Sequence, residues 1–140
     1  MMQRSTWLSV LVVAWLAPAR AQDVPPPDAP HPEPRVIVTV SRVRGPHDKD
    51  AVETAARMAW GRIVRCYKLT PHKGKPPRGI VEARVEIAAN GEVVGTRRQG
   101  GTLKGELARC LVRTMRKVTM PRARSGSTAE IAIKVGPGDG

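Results

Sequence analysis

Residues 79 to 99, GIVEARVEIAANGEVVGTRRQ, alternate strictly enough to demand one wet face and one dry face. Val81, Ala83, Val85 and Ile87 are separated by Glu82, Arg84 and Glu86, the period of two expected of a strand buried on one side. Asn90-Gly91 follows. That dipeptide favours a type I′ turn, in which both central residues take positive φ. Glu92 to Arg98 is then the returning strand. The rest of the chain must cover the apolar side of this hairpin.

Two segments are suited to that. In DKDAVETAARMAWGRIVRCYKL, residues 48 to 69, Val52, Ala56, Ala59, Ile63, Cys66 and Tyr67 recur at helical spacing. Asp48 or Asp50 caps this helix and Glu53 favours its first turn, while Gly61 weakens its middle. Pro71, Gly74 and Pro76-Pro77 turn its end into a loop. After the hairpin, Thr102 is placed to cap LKGELARCLVRTMRKV, with Leu103, Leu107, Cys110, Leu111, Thr114 and Val118 on the buried side. Lys104, Arg109, Arg113, Arg116 and Lys117 fall outside that stripe, and Pro121 stops the helix.

Strands flank this middle. RVIVTVSRVRG, from residue 35, is a β-branched run that reads as an edge strand. STAEIAIKV alternates again, with Ala129, Ile131, Ile133 and Val135 on one side. The order strand, helix, hairpin, helix, strand predicts one α+β domain over residues 35–136: a small antiparallel sheet with two helices on one face. Residues 137–140 form a loose tail.

The N-terminus carries an address. Arg4 precedes an apolar run from Trp7 to Ala17, Pro18 breaks it, and Ala19-Arg20-Ala21 has the small-x-small form of a cleavage site. Cleavage after Ala21 removes residues 1–21 and leaves Gln22 first, in a periplasmic or secreted protein. The run is too short to span a bilayer, which needs about 20 apolar residues. Residues 22–34, QDVPPPDAPHPEP, are a proline-rich, exposed spacer.

Export decides how the cysteines are read. Cys66 and Cys110 are the only two in the chain, and both lie on apolar stripes of helices that should pack on one sheet. In an oxidising compartment an even count favours a bridge. A core with no Phe, and with Trp60 and Tyr67 as the only aromatics after residue 21, also gains from a covalent link. A reactive thiol should be exposed among cations, and Cys110 looks inward. Zinc needs about four ligands at recognisable spacing, whereas His31, His47 and His72 stand apart. No metal or cofactor is expected.

The formal net charge is +12. Nine Lys or Arg and one acid, Glu106, lie from Arg97 to Arg124, and seven Lys or Arg with no acid lie from Arg57 to Arg78. Nucleic acid is disfavoured, because base-stacking aromatics are nearly absent and no zinc-finger, KH or RNP-like pattern occurs. Outside the cytoplasm such charge suits an acidic protein, an anionic cell-envelope polymer or a lipid surface. Catalysis is not expected. Glu82 and Glu86 share a solvated strand face as a solubility device, the serines sit in turns without a partner histidine, and residues 74–79 lack the strand-then-helix context of a phosphate loop.

Taken together, RCYKL closing a helix, the hairpin GIVEARVEIAANGEVVG, LARCLVRTMRKVTMPRA and the closing AEIAIKV resemble the TonB-like C-terminal domain of the AgmX/PglI family, associated with gliding motility in myxobacteria. The resemblance covers roughly residues 50 to 136 and rests on Cys66-Tyr67, Asn90-Gly91, Cys110 and Pro121. Met120 stands where an aromatic is usual. The resemblance implies a non-catalytic periplasmic domain that binds a protein partner of the cell envelope by strand addition at a sheet edge. The expected contacts are the last strand, taken as an exposed edge with Glu130, Ala132 and Lys134, and the basic helix face of Arg109, Arg113, Arg116 and Lys117. Through that same basic face an anionic polymer or membrane is the alternative ligand.

Overall fold

The computed structural model describes residues 33–72 and 74–138. The expected signal segment, its Ala21–Gln22 cleavage site and the spacer up to residue 32 lie outside the described residues, as do residues 139 and 140. The elements run β1 (Arg35–Arg44), α1 (Lys49–Arg57), α2 (Trp60–Leu69), β2 (Gly79–Ile87), β3 (Val93–Gly101), α3 (Gly105–Met115) and β4 (Ser127–Gly136).

The four strands form one antiparallel sheet in the order β1-β4-β2-β3. Register aligns the apolar positions row by row. Val38 faces Ile133, which faces Val81; Val40 faces Ile131, which faces Ala83; Ala129 faces Val85. All of these are buried, and together with the buried stripes of the helices they form one core. The fold is thus the expected α+β layering, with every helix on one face of the sheet. Thr39, Glu130, Arg84 and their neighbours occupy the other face.

Three local details differ from expectation. The first helix is two. Asp48 caps α1 by accepting the Ala51 N–H at 3.0 Å, but at Met58 and Ala59 the hydrogen bonds tighten to the residue three back, and α2 restarts with Ile63 N–H to Ala59 C=O. Gly61, which costs about 1 kcal/mol in a helix interior, sits just past the break and leaves continuation weakly favoured. The stripe from Val52 to Tyr67 stays buried across the junction.

The second helix starts later than expected. Lys104, not Thr102, is its N-cap residue and supplies no side-chain bond. Thr102 instead accepts the Ile80 N–H through Oγ1 at 3.1 Å, closing the open end of β2. A side chain suited to capping a helix serves a strand equally well, because both present orphan N–H groups.

The hairpin turn is not type I′. No residue other than glycine has positive φ among the described residues. Gly91 N–H bonds Ala88 C=O at 2.9 Å, Ala88 N–H bonds Glu92 C=O at 2.8 Å, and Gly91 alone takes φ +90°. This is a three-residue loop with a glycine bulge. Asn90 keeps negative φ, and its Oδ1 accepts the Glu92 N–H at 3.0 Å. The turn also docks on the chain after α3, with Met120 N–H donating to Gly91 C=O and Ala123 N–H to Ala89 C=O, both at 2.9 Å.

Candidate partner-binding surfaces

Cys66 and Cys110 are joined by a disulfide, with their Cα atoms 5.8 Å apart. It ties α2 to α3 on top of the sheet, and Thr114 Oγ1 lies 3.3 Å from Cys66 Sγ. Both thiols are consumed, so neither is available as nucleophile or metal ligand. Beside the bridge, Tyr67 donates its hydroxyl to Pro77 C=O at 3.1 Å, pinning the loop that follows α2. Burial raises the Tyr67 phenol above its ordinary value, and Arg78 opposes that shift.

The last strand is not an edge. β4 pairs with β1 on one side and β2 on the other, so its backbone groups are already used. Four long strands leave room for either arrangement in sequence; what places β4 inside is that both its neighbours match its Ala129–Ile131–Ile133–Val135 spacing. Glu130, Ala132 and Lys134 lie on the face the helices do not cover. In register across that face run Arg42, Glu130, Arg84 and Arg97. Gln99 reaches the Glu130 carboxylate at 3.4 Å. Glu82 and Glu86 extend over the glycines of β3, and a Cβ on Gly100 or Gly95 would come within 2.8 or 3.1 Å of their Oε2 atoms.

The true edges are β1 and β3, and they differ. α1 seals the middle of β1: Glu53 Oε2 accepts the Val40 N–H at 3.0 Å, and Arg57 Nε donates to Val38 C=O at 3.4 Å. Glu53 and Arg57 are themselves paired at 2.6 Å. Charged side chains on an edge strand are a standard block to further pairing. On β3, the ladder direction follows from Ile80, whose N–H goes to Thr102 Oγ1 and whose C=O takes the Leu103 N–H. By the period of two, Glu82, Arg84 and Glu86 also turn toward β3, where they face Gly100, Arg97 and Gly95. Two bulges, at Val94 and at Gln99, interrupt the register of β3, and between them Thr96 and Arg98 direct their backbone groups outward. Val94 is 55% exposed, and the side-chain bond at this edge, Arg98 to Gly101 C=O, lies at its far end.

The basic face divides in two. On α3, Arg109 reaches Glu106 at 3.0 Å and Arg113 reaches it at 3.7 Å. The Arg109 hydrogen bond and charge, aided by Arg113, hold the Glu106 carboxyl below its ordinary value. Arg116 and Lys117 lie past the helix end. Lys117 faces the other way, toward α2: its C=O accepts from Arg62 Nη1 at 2.9 Å. Here Arg62, Arg65 and Lys117 border an open groove of about 540 Å³. Sequence reasoning misses Arg62 and Arg65, although their spacing on the outer side of a helix is the available signal.

One serine does have a histidine. His47 Nδ1 lies 2.6 Å from Ser127 Oγ, which also accepts the His47 backbone N–H at 3.2 Å. Both residues are buried, and His47 Nε2 has no partner among the described residues. The two are far apart in sequence, so no local pattern joins them. No three His, Cys, Asp or Glu side chains gather as a metal site among the described residues.

No protein-family model, curated protein or solved structure matches this chain.

Proposed function

We propose that this chain is an exported, non-catalytic binding domain that receives an extended segment of a protein partner on the free edge of β3. The observation that carries the reading is the asymmetry of the two edges. Glu53 and Arg57 close β1, whereas Thr96 and Arg98, between the two bulges of β3, offer outward backbone donors and acceptors. Strand addition draws its affinity from such groups and its specificity from alternate side chains. Arg97 and Arg98, with no acid between Val93 and Gly101, favour an acidic partner strand.

Export is supported by the disulfide and by the apolar run and Ala19-Arg20-Ala21 pattern near the N-terminus. Among the described residues no helix is long and apolar enough to cross a membrane. The likeness to the TonB-type domain of the AgmX/PglI family agrees with this mode of binding and rests on the residue pattern alone.

The test is affinity capture from a cell-envelope extract at low and high salt, comparing the native chain with Thr96→Pro. Proline removes the outward N–H without touching the β2 ladder. Capture that survives salt and is lost in the variant supports strand addition. Capture that disappears with salt and is indifferent to Thr96→Pro would refute it, and would favour charge-driven binding instead.

A further inference from the structure

We propose a second docking surface, on α1–α2, for an anionic phospholipid membrane. It goes beyond the strand-edge reading and stands without it. Large apolar side chains exposed on a folded domain call for an explanation when they cluster. Met58 is 83% exposed and Leu69 68%, one in the turn that leads into α2 and the other at its end. Arg62, Arg65 and Leu69 are three and four residues apart on α2, and Met58, in the turn before it, lines the same groove as Arg62 and Arg65. They form one stripe, whose helical part from Arg62 to Leu69 is about 10 Å long. The opposite side of α2 is filled by Ile63, Cys66 and Tyr67, so the stripe points away from the sheet.

The stripe has an apolar residue at each end and two guanidinium groups between. The groove of about 540 Å³ beside it adds Lys117, over a floor that includes Ala59 and Val118. No acid lines this groove, and none occurs from Arg57 to Arg78. Arg62 is held across the groove by its bond to Lys117 C=O. Cations in the middle and apolar anchors at both ends, all facing one way, match a plane of phosphate head groups over acyl chains. An acidic peptide would satisfy the cations but leave the two anchors, at opposite ends of the stripe, with no reason to face the same way.

The surface is also well placed. α1 and α2 contact β1, whereas α3 contacts β3. Docking through α1–α2 leaves the open edge of β3 on the far side of the sheet.

The experiment is co-sedimentation of the disulfide-bonded chain with vesicles of phosphatidylglycerol and phosphatidylcholine, and of phosphatidylcholine alone. A Leu69→Trp reporter is read in parallel, with Trp60, and Trp7 and Trp15 if the recovered chain retains them, replaced by Phe. Binding is expected on anionic vesicles only, with a blue shift of the reporter at position 69. Arg62→Gln with Arg65→Gln should lower the partition coefficient about 30-fold. Met58→Ser with Leu69→Ser should leave only a weaker, salt-sensitive association. Inorganic phosphate at constant ionic strength should not displace the protein. Four results would overturn the proposal: no binding to anionic vesicles; an equal loss from Arg109→Gln with Arg113→Gln, the mark of generic charge; displacement by phosphate, the mark of a free-anion site; or equal competition by polyglutamate, the mark of an acidic protein ligand.

Discussion

Ser127 Oγ holds His47 twice, at the ring Nδ1 and at the backbone N–H, and so locks the entry to α1 onto the start of β4. Ser127→Ala would leave two buried groups without a partner. A loss of about 1–3 kcal/mol is expected, read as a shift in urea midpoint at unchanged slope. A loss under a few tenths would mean that water replaces the hydroxyl.

The Cys66–Cys110 bridge closes a 44-residue span. Replacing both cysteines by Ala should cost about 4 kcal/mol on the chain-entropy model. That is a large share of what a small domain has. Native and variant chains compared in guanidinium would measure it. Thiol labelling under denaturing conditions, with and without reductant, checks the bond itself.

Glu53→Ala with Arg57→Ala should expose the middle of β1. The expected result is concentration-dependent self-association, seen by light scattering during size exclusion, with a stability loss of about 1 kcal/mol. A variant that stays monomeric at high concentration would show that this seal is dispensable.

At Gly91, a Cβ would run into Met120 C=O, on a backbone with φ +90°. Gly91→Ala is expected to cost at least about 2 kcal/mol, from the conformation and the clash together. Thermal unfolding would register it. Gly61→Ala should do the opposite, because nothing lies within 4 Å of its Cβ position; a gain of about 0.5–1 kcal/mol is expected.

Glu106 supplies a pH signature. Its carboxyl is lowered in the folded chain, mainly by the Arg109 hydrogen bond. Its contribution is therefore fully present above the unfolded carboxylate range and fades as pH falls through the lowered folded value. Glu106→Gln should be slightly less stable than native at neutral pH and equal to it in strong acid. Denaturation at the two pH values decides this.

What can be read from sequence is what is local. The alternation of Val81, Ala83, Val85 and Ile87, and the stripes ending in Tyr67 and Val118, all have short periods, and the buried faces follow from them. Strand order does not. Whether β4 lies inside or outside depends on pairings with β1 and β2 that are remote in the chain, and each candidate strand has the same alternating pattern. The same distance hides the contact between His47 and Ser127. The turn departs from expectation for a different reason: Asn90 supports two geometries, and the docking of Gly91 on Met120 selects between them.

The disulfide has a mechanical consequence. β2 and β3, with the edge proposed to take a partner, lie inside the covalent ring between Cys66 and Cys110. A pull on the two ends of the chain can strip away β1 and β4 but cannot draw out the ring. About 150 Å of contour, the 44-residue separation at roughly 3.4 Å per residue, stays locked while the bond is oxidised. Reduction would release that length in a single extra step, so the bridge sets how far this domain can stretch under load.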